Sequence, residues 1–284
     1  MIKSKLKVGL LTNIIAPYRI PCFNRVTEAN LFNFDVFFYA ENEKNRKWEI
    51  YKDKIKFNYT VLNGLHFCFK DERFIHINFG LVYHLLRKKY DLIAIGGYDQ
   101  PASWEALFFS KIVGTKILLF GESTLRDKRS RNWIYENLRR FFVKNCDGFI
   151  PSGKAAYTYF TYLGATPEKN FIAPFCADHN YFKKEYQRLK PYKNEIKRKK
   201  SYPTITILYS GRFVHYKGIQ YLLEAYAKLQ NQSEDIGLVL LGDGPEKEKY
   251  ESYCRANKIN NVFFEGFVQQ KELPKYYTSA DIFV

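Results

Sequence analysis

Residues 207–229 read ILYSGRFVHYKGIQYLLEAYAKL and decide the fold of this chain. The segment opens with apolar residues of the kind that are buried in a parallel sheet, and Ser210 and Gly211 end that run. Apolar side chains then recur at the spacing of one helix face from Ile219 to Ala227. The segment therefore predicts a buried strand, a glycine-marked turn and an amphipathic helix, which is the repeating unit of a parallel α/β sheet.

The turn between this strand and helix carries two cations beside two glycines, Arg212 after Gly211 and Lys217 before Gly218. The free N–H groups and partial positive charge of a helix N-terminus attract anions. An arginine can bind phosphate oxygens through two parallel N–H groups, and a lysine adds a compact charge. The pattern thus predicts a diphosphate site that requires no metal. In the alternative, both cations are solvated surface residues and Gly218 is an ordinary turn glycine.

Two further glycine-marked segments follow in order, at 240–245 (LLGDGP) and 262–268 (VFFEGFV). Together with 211–218 they resemble the donor half of a retaining GT-B glycosyltransferase of family 4. This resemblance implies a catalytic role for Arg212 and Lys217, which would hold the diphosphate of a nucleotide sugar. It also implies a set of donor-binding residues: Gly211, Arg212, Lys217, Gly218, Gly242, Gly244, Phe267 and Val268.

The amino-terminal half alternates short apolar runs with helical patterns. We predict five strands, at 6–12, 35–39, 91–95, 116–120 and 148–151. Such alternation favours a parallel, doubly wound sheet whose sites open at the carboxyl ends of the strands. Combined with the resemblance, it predicts an α/β protein of GT-B fold, with two Rossmann-like doubly wound domains that face each other across a cleft, the second of them incomplete.

Three loops at the predicted strand ends carry the candidate acceptor-side residues Pro17, Tyr18, Arg19, Tyr98 and Asp99, and the candidate catalytic residue Glu122. The Pro-Tyr-Arg element resembles the acceptor-side opening of one bacterial subgroup of these transferases, where Arg19 would meet an anionic acceptor or the donor phosphates. The alternative is a proline at a favourable helix N-terminal position with two surface neighbours. Many relatives carry a histidine where this chain has Glu122, which we expect to contact a sugar hydroxyl or the acceptor.

We expect an N-terminal acceptor-side domain over 1–182, a basic linker over 183–203 and a C-terminal nucleotide-sugar-binding domain over 204–284. The linker assignment rests on a polar, lysine-rich sequence that is broken by proline. The last four residues, 281–284, have the sequence of a buried strand. Because the resemblance continues past that strand with a glutamate pair and a further helix, we expect a truncated second domain and poor catalysis by this chain alone.

The net charge of +16 requires an anionic partner or a tolerance of self-repulsion. No nucleic-acid-binding motif is visible, which favours a nucleotide sugar and an anionic membrane surface over nucleic acid. The candidate membrane surface consists of the cations Arg126, Lys128, Arg129, Arg131, Arg139, Arg140 and Lys144 and the aromatics Trp133, Tyr135, Phe141 and Phe142. The alternative is a basic amphipathic helix whose aromatic residues face the core.

Cysteine and histidine spacing argues against a disulfide framework or a metal site. The five cysteines lie far apart without Cys-x-x-Cys spacing, so we expect reduced thiols. The five histidines are scattered too, so we expect neither a metal nor a cofactor. No uncharged apolar run is long enough to span a bilayer and the start leads into a strand, so we expect a soluble, cytoplasmic protein. The basic charge adds an expected peripheral association with the inner face of the membrane.

The resemblance implies a hexosyltransferase that moves a sugar from a nucleotide-diphosphate sugar to a saccharide or lipid-linked acceptor, with retention at the anomeric carbon. The basic charge and the Pro-Tyr-Arg element favour cell-surface polysaccharide assembly in a bacterium. Two alternatives stay open, namely a nucleotide-sugar epimerase or phosphorylase of the same fold and a non-catalytic partner subunit. Release of free nucleotide in the presence of an acceptor separates transfer from epimerisation.

Overall fold

The computed structural model describes residues 5–69, 74–127, 132–230, 232 and 235–284. The chain divides into two compact units, the first spanning Met1–Arg46 and Ile50–Ala177, the second spanning Lys47–Glu49 and Asp178–Val284. Each unit has its own parallel sheet and its own apolar core. The two units are therefore described separately.

The first unit alternates strands and helices along the chain. Its strands are β1 (Lys7–Ile14), β2 (Asn33–Ala40), β3 (Asn58–Val61), β4 (Asn63–Cys68), β5 (Phe74–Phe79), β6 (Leu92–Gly96), β7 (Lys116–Gly121) and β8 (Gly148–Pro151). Its helices are α1 (Ile20–Glu28), α2 (Leu81–Lys88), α3 (Pro101–Val113), α4 (Trp133–Lys144) and α5 (Lys154–Leu163). The five strands predicted for this half are all present, with ends within two residues of the expected ones.

Six of these strands form one parallel sheet in the order β3-β2-β1-β6-β7-β8, while β4 and β5 pair as a separate antiparallel hairpin. Strands are added in opposite directions on either side of β1 and β6. Such a switch point, outside the carboxyl ends of the strands, is where doubly wound sheets bind ligands.

Neighbouring residues of one strand pack on opposite faces of this sheet. In β1, Leu11 packs in one apolar cluster and Leu10 in another; in β2, Phe37 and Val36 divide in the same way. All four side chains are buried. A strand that is buried on both faces reads as a continuous apolar run, which explains why these strands were recognisable in the sequence.

The second unit is built in the same way on a smaller sheet. Its strands are β9 (Ile205–Ser210), β10 (Ile236–Leu241), β11 (Val262–Gly266) and β12 (Ile282–Phe283), and its helices are α6 (His179–Leu189), α7 (Lys193–Lys199), α8 (Ile219–Gln230), α9 (Lys247–Ala256) and α10 (Leu273–Ser279). The strands are parallel in the order β11-β10-β9-β12. Apolar clusters cover both faces, so each unit is Rossmann-like as expected.

The segment that the sequence assigned to a linker, 183–203, is largely helical, because most of α6 and all of α7 lie within it. Its lysines bind acidic side chains of the second unit: Lys193 Nζ lies 2.6 Å from Asp281 Oδ1, and Lys200 Nζ lies 2.6 Å from a carboxylate oxygen of Glu265. The segment, whose composition suggested a solvated linker, is thus held against the sheet by ion pairs.

The last strand also differs from its expectation in one respect. β12 pairs with β9, as a strand in this position should, with Ile282 opposite Ile207 and Phe283 opposite Leu208. Its side chains are exposed rather than buried, with 50% of Ile282 and 58% of Phe283 accessible. β12 is short and lies at the edge of the sheet, where β9 is its one neighbouring strand among the described residues.

Candidate functional site

Three loops of the second unit are joined by backbone hydrogen bonds at the carboxyl ends of their strands. The Gly211 N–H donates to the Leu241 carbonyl at 2.9 Å, which connects the loop after β9 with the end of β10. The Phe213 N–H donates to the Asp243 carbonyl at 2.9 Å, and the Gly242 N–H donates to the Gly266 carbonyl at 2.7 Å. These bonds hold the loops in one fixed arrangement without using their side chains.

Gly242 and Gly244 are required by this close approach. Both have positive φ angles, +144° and +157°. A Cβ on Gly242 would lie 1.8 Å from the Gly211 carbonyl oxygen, and a Cβ on Gly244 would lie 2.4 Å from the Phe213 carbonyl oxygen. Only glycine allows two backbones to come so near. The two glycines that the sequence singled out therefore build the loop arrangement.

The two predicted diphosphate-binding cations lie on the loop from β9 to α8. Arg212 is half-buried directly after the strand, whereas Lys217 is exposed at the end of a single 3₁₀ turn. Gly218 follows with a φ angle of +71°, and α8 begins at Ile219, whose side chain is fully buried in the core. Lys217 thus stands immediately before the N-terminus of a twelve-residue helix, where backbone N–H groups favour an anion.

Asp243 lies between the two glycines, and its carboxylate is bound from two directions. The Gly244 N–H donates to Oδ1 at 2.9 Å, and Lys47 forms an ion pair with Oδ2. The hydrogen bond from Lys47, with help from the Gly244 N–H and the charges of Lys47 and Lys247, holds the pKa of Asp243 below its usual range. The lysine offsets the negative charge that Asp243 would bring to an anion site. Sequence reasoning missed Lys47 because 196 residues separate the pair.

Phe267 and Val268, predicted near the nucleobase, differ in their surroundings. The Phe267 side chain is 40% exposed directly after β11. Val268 packs against the apolar cluster that contains Leu208 and Val239, so its side chain belongs to the core. Of the two, Phe267 has the side chain that a ligand can reach.

Arg19 is anchored at the carboxyl end of β1 in the first unit. Its Nη1 donates to the Thr12 hydroxyl at 2.8 Å, and its guanidinium carbon lies 5.5 Å from the centre of the Phe175 ring. Pro17 is buried in the turn before α1, and Tyr18 is 52% exposed. Arg19 therefore occupies a fixed position beside the switch point between β1 and β6.

The remaining acceptor-side candidates separate into one core residue and two exposed ones. Tyr98 is only 7% exposed; its hydroxyl donates to the Tyr159 hydroxyl at 3.4 Å, and its ring contacts Phe142. The sequence predicts an acceptor contact for Tyr98, whereas its side chain packs in the core of the first unit. Asp99 and Glu122 are exposed after β6 and β7, at the edge of the sheet where the sequence placed them.

Sequence reasoning also missed a pair of histidines, His66 and His76, that face each other across the β4–β5 hairpin. The hairpin was not predicted at all. In the described part of the chain, this hairpin included, no group of three or more His, Cys, Asp or Glu side chains could hold a metal ion. No helix in that same part is long and apolar enough to cross a membrane.

Comparison with known proteins connects the second unit to one family. Residues 192–284 match the family described as glycosyl transferases group 1. An uncharacterized glycosyltransferase of Methanocaldococcus jannaschii is 23% identical over 280 residues, which cover 96% of this chain and 60% of that protein. A 2-deoxystreptamine N-acetyl-D-glucosaminyltransferase of Niallia circulans is 30% identical over 80 residues, which cover 28% of this chain and 21% of that protein.

Solved structures show the fold. Anabaena HepE in complex with UDP superimposes with a TM-score of 0.69 at 15% identity, covering 98% of this chain and 73% of that one. A UDP-GlcNAc 2-epimerase from Neisseria meningitidis, bound to UDP-GlcNAc, superimposes with a TM-score of 0.58 at 14% identity, covering 97% and 76%. The chain therefore has the α/β fold of GT-B proteins, and its second unit carries the sequence pattern of the glycosyl transferases group 1 family.

Proposed function

We propose that this chain carries the donor site of a family 4 glycosyltransferase, a hexosyltransferase that uses a nucleotide-diphosphate sugar. One observation carries the proposal: Arg212 and Lys217 flank a loop that is fixed by backbone bonds and leads into the N-terminus of α8, within the segment that matches the family. Bound UDP in Anabaena HepE, which shares the fold, supports UDP as the first nucleotide to test.

The proposed chemistry is electrostatic. When the bond between the sugar and the diphosphate breaks, negative charge develops on the leaving oxygen. Arg212 can offer two parallel N–H groups to phosphate oxygens, Lys217 a point charge, and α8 its N-terminal N–H groups. These groups stabilise the departing diphosphate without requiring a metal. We propose transfer with retention, in line with the resemblance in the sequence.

Nucleotide binding tests the proposal directly. Thermal unfolding is followed with UDP, GDP and ADP for the wild type, Arg212→Ala and Lys217→Ala. A ligand at 100 times its Kd stabilises the native state by about 2.7 kcal/mol, which gives a clear rise in Tm. We expect a shift with one nucleotide and a loss of most of that shift in both variants.

Lys228→Ala is the matched control. Lys228 is exposed on the same helix, but it lies in the last turn, roughly 16 Å along the axis from Lys217. Lys228→Ala removes the same charge as Lys217→Ala and should leave the nucleotide-induced rise in Tm unchanged. The proposal fails if the folded wild type shows no rise in Tm with any nucleotide, or if Arg212→Ala and Lys217→Ala show the same rise as Lys228→Ala.

A nucleotide-sugar epimerase is the second candidate, favoured by the structural similarity to UDP-GlcNAc 2-epimerases. The two activities differ in their products. Transfer consumes an acceptor and releases free nucleotide in proportion to it, whereas epimerisation interconverts two nucleotide sugars without an acceptor. Product analysis by anion-exchange chromatography, with and without acceptor, separates them.

For the acceptor we propose a saccharide or lipid-linked saccharide of cell-surface polysaccharide assembly, met at an anionic membrane surface. The support is α4, which exposes 73% of Trp133 and 56% of Tyr135. Phe142 is fully buried, so it does not belong to this surface, and Arg140 is bound by Glu136 at 3.0 Å. Three predicted cations of the surface lie outside the described residues: Lys128, Arg129 and Arg131.

A further inference from the structure

The β4–β5 hairpin of the first unit brings two imidazoles together. His66 and His76 are directly opposite in its register, and their Nδ1 atoms lie 2.9 Å apart, within hydrogen-bonding distance. His66 is exposed, whereas the side chain of His76 is only 1% accessible. One ring is therefore at the surface and the other is buried behind it.

Glu43, which follows β2, occupies the other side of the buried ring. Its Oε1 lies 3.4 Å from His76 Nε2, and the Glu43 side chain is itself only 10% exposed. Arg46 Nε lies 3.6 Å from the second carboxylate oxygen. A carboxylate oxygen accepts hydrogen bonds, so the Glu43 contact favours the His76 tautomer with its proton on Nε2.

This assignment determines where the remaining protons lie in a relay of three side chains, Glu43, His76 and His66. In the tautomer with its proton on Nε2, His76 presents a lone pair at Nδ1, so His66 donates its Nδ1–H across the 2.9 Å contact. His66 then carries a free lone pair on Nε2. Burial lowers the pKa of His66, which favours the neutral ring that carries this lone pair.

The buried ring of this relay is held firmly in place. Tyr39 and Phe74 each stack with His76, with ring centres 6.1 Å away and interplanar angles of 16° and 12°. The Gln100 side chain accepts from the His76 N–H at 2.8 Å and donates to the Phe74 carbonyl at 3.0 Å. Gln100 thereby fixes β5 to the loop after β6, beside the carboxyl edge of the first sheet, as a preorganised site requires.

The relay opens into a cavity of about 540 Å³ that the first unit forms by itself. This volume is within the range typical of small-molecule sites, which combine apolar walls with a few placed polar groups. Aromatic and polar residues both line it: Asn42, Glu43, Lys44, His66, Phe67, Cys68, Phe69, Phe74 and His76.

We propose that this cavity binds one sugar ring of a saccharide acceptor, with His66 Nε2 accepting a hydrogen bond from a sugar hydroxyl. The C–H face of a sugar suits an aromatic wall such as Phe74, which lies on the same face of the hairpin as His66 and His76, while its hydroxyls need acceptors such as the His66 lone pair. His76 and Glu43 are positioning residues, because they fix which nitrogen of His66 accepts. That the bound sugar is an acceptor rests on the proposed function, whereas carbohydrate binding by this cavity rests on the cavity alone.

Saturation-transfer NMR with the methyl α- and β-glycosides of glucose, galactose and N-acetylglucosamine tests this inference. We expect at least one glycoside to show transfer to its ring C–H protons, with a loss of fivefold or more in affinity for His66→Ala. His179→Ala, an exposed histidine at the start of α6 in the second unit, is the matched control and should bind as the wild type does. Absence of transfer for the whole panel, or equal binding by His66→Ala and His179→Ala, overturns the proposal.

Nitrogen-15 NMR of the histidine rings tests the relay independently of any sugar. The wild type should show His66 protonated on Nδ1 and His76 on Nε2; Glu43→Gln should mix the tautomers of both, since an amide can also donate. A wild-type His66 protonated on Nε2 would refute the relay. The nucleotide titration reports on the second unit, so a wild type that binds UDP but none of the glycosides refutes this inference and leaves the proposed function standing.

Discussion

Asp281→Asn tests the charge network that fixes α7 to the second sheet. The Asp281 carboxylate accepts from Lys193 Nζ at 2.6 Å, from the Thr206 N–H at 2.8 Å and from Lys197 Nζ. Burial raises the pKa of Asp281, but these three bonds outweigh that effect and hold the pKa at about 2, against an ordinary value of 3.8. The ionised form is therefore the one that the folded state prefers.

The magnitude follows from that shift. A displacement of roughly 1.8 pKa units corresponds to ~2.4 kcal/mol. Because 32% of the Asp281 side chain is exposed, solvent screening reduces the contribution to about 1–2 kcal/mol. The folded pKa is depressed, so this stabilisation is complete above pH 3.8 and is lost as the pH falls toward 2. Asp281→Asn should remove it at pH 7.

Urea unfolding at pH 7 measures this contribution through a double-mutant cycle with Lys197→Met. The Lys197 side chain is 9% exposed and bonds both Asp281 and the Thr204 carbonyl, so we expect a coupling of about 1–2 kcal/mol. The Lys193 side chain is 31% exposed, and its cycle should give roughly 0.5 kcal/mol. A coupling below about 0.3 kcal/mol between Lys197 and Asp281 refutes the reasoning, since independent sites add within that error.

Three further outcomes are expected. Gly242→Ala should destabilise the second unit by at least about 3 kcal/mol in urea unfolding, because its Cβ meets the Gly211 carbonyl, whereas Gly266→Ala, strained but unobstructed, should cost about 1–2 kcal/mol. Tyr98→Phe should cost no more than about 1 kcal/mol and leave kcat/KM for the acceptor unchanged, since its hydroxyl faces the core. Lys144→Ala should lower the affinity for phosphatidylglycerol vesicles, measured by co-sedimentation, about fivefold. Phosphatidylcholine vesicles should bind neither the wild type nor the variant.

The parallel sheets were predictable because their signals are local. Strands such as β1 and β2 are buried on both faces, so their residues form short apolar runs that the sequence shows directly. The helical spacing after Lys217 gave α8 for the same reason, since Ile219, Leu223 and Tyr226 are buried. Burial that follows a simple period can be read without knowing what lies opposite.

The helical segment at 183–203 was hidden because its partners are distant in the chain. Lys197 binds Asp281, 84 residues away, and Lys200 binds Glu265, 65 residues away. A run of lysines looks the same in the sequence whether water or a carboxylate surrounds it. The paired carboxylates, not the composition of the segment, decide that α7 packs against the sheet.

The two candidate sites differ in how far the sequence predicts them, for the same physical reason. In the second unit, the loops approach through their backbones, and such contact leaves a record in the sequence, because only Gly242 and Gly244 permit it. In the first unit, the relay depends on the register that places His66 opposite His76, and many sequences could supply either residue. A site held by backbone contact constrains residue identity at fixed spacings, whereas a site held by cross-strand side chains is visible only once the pairing is known.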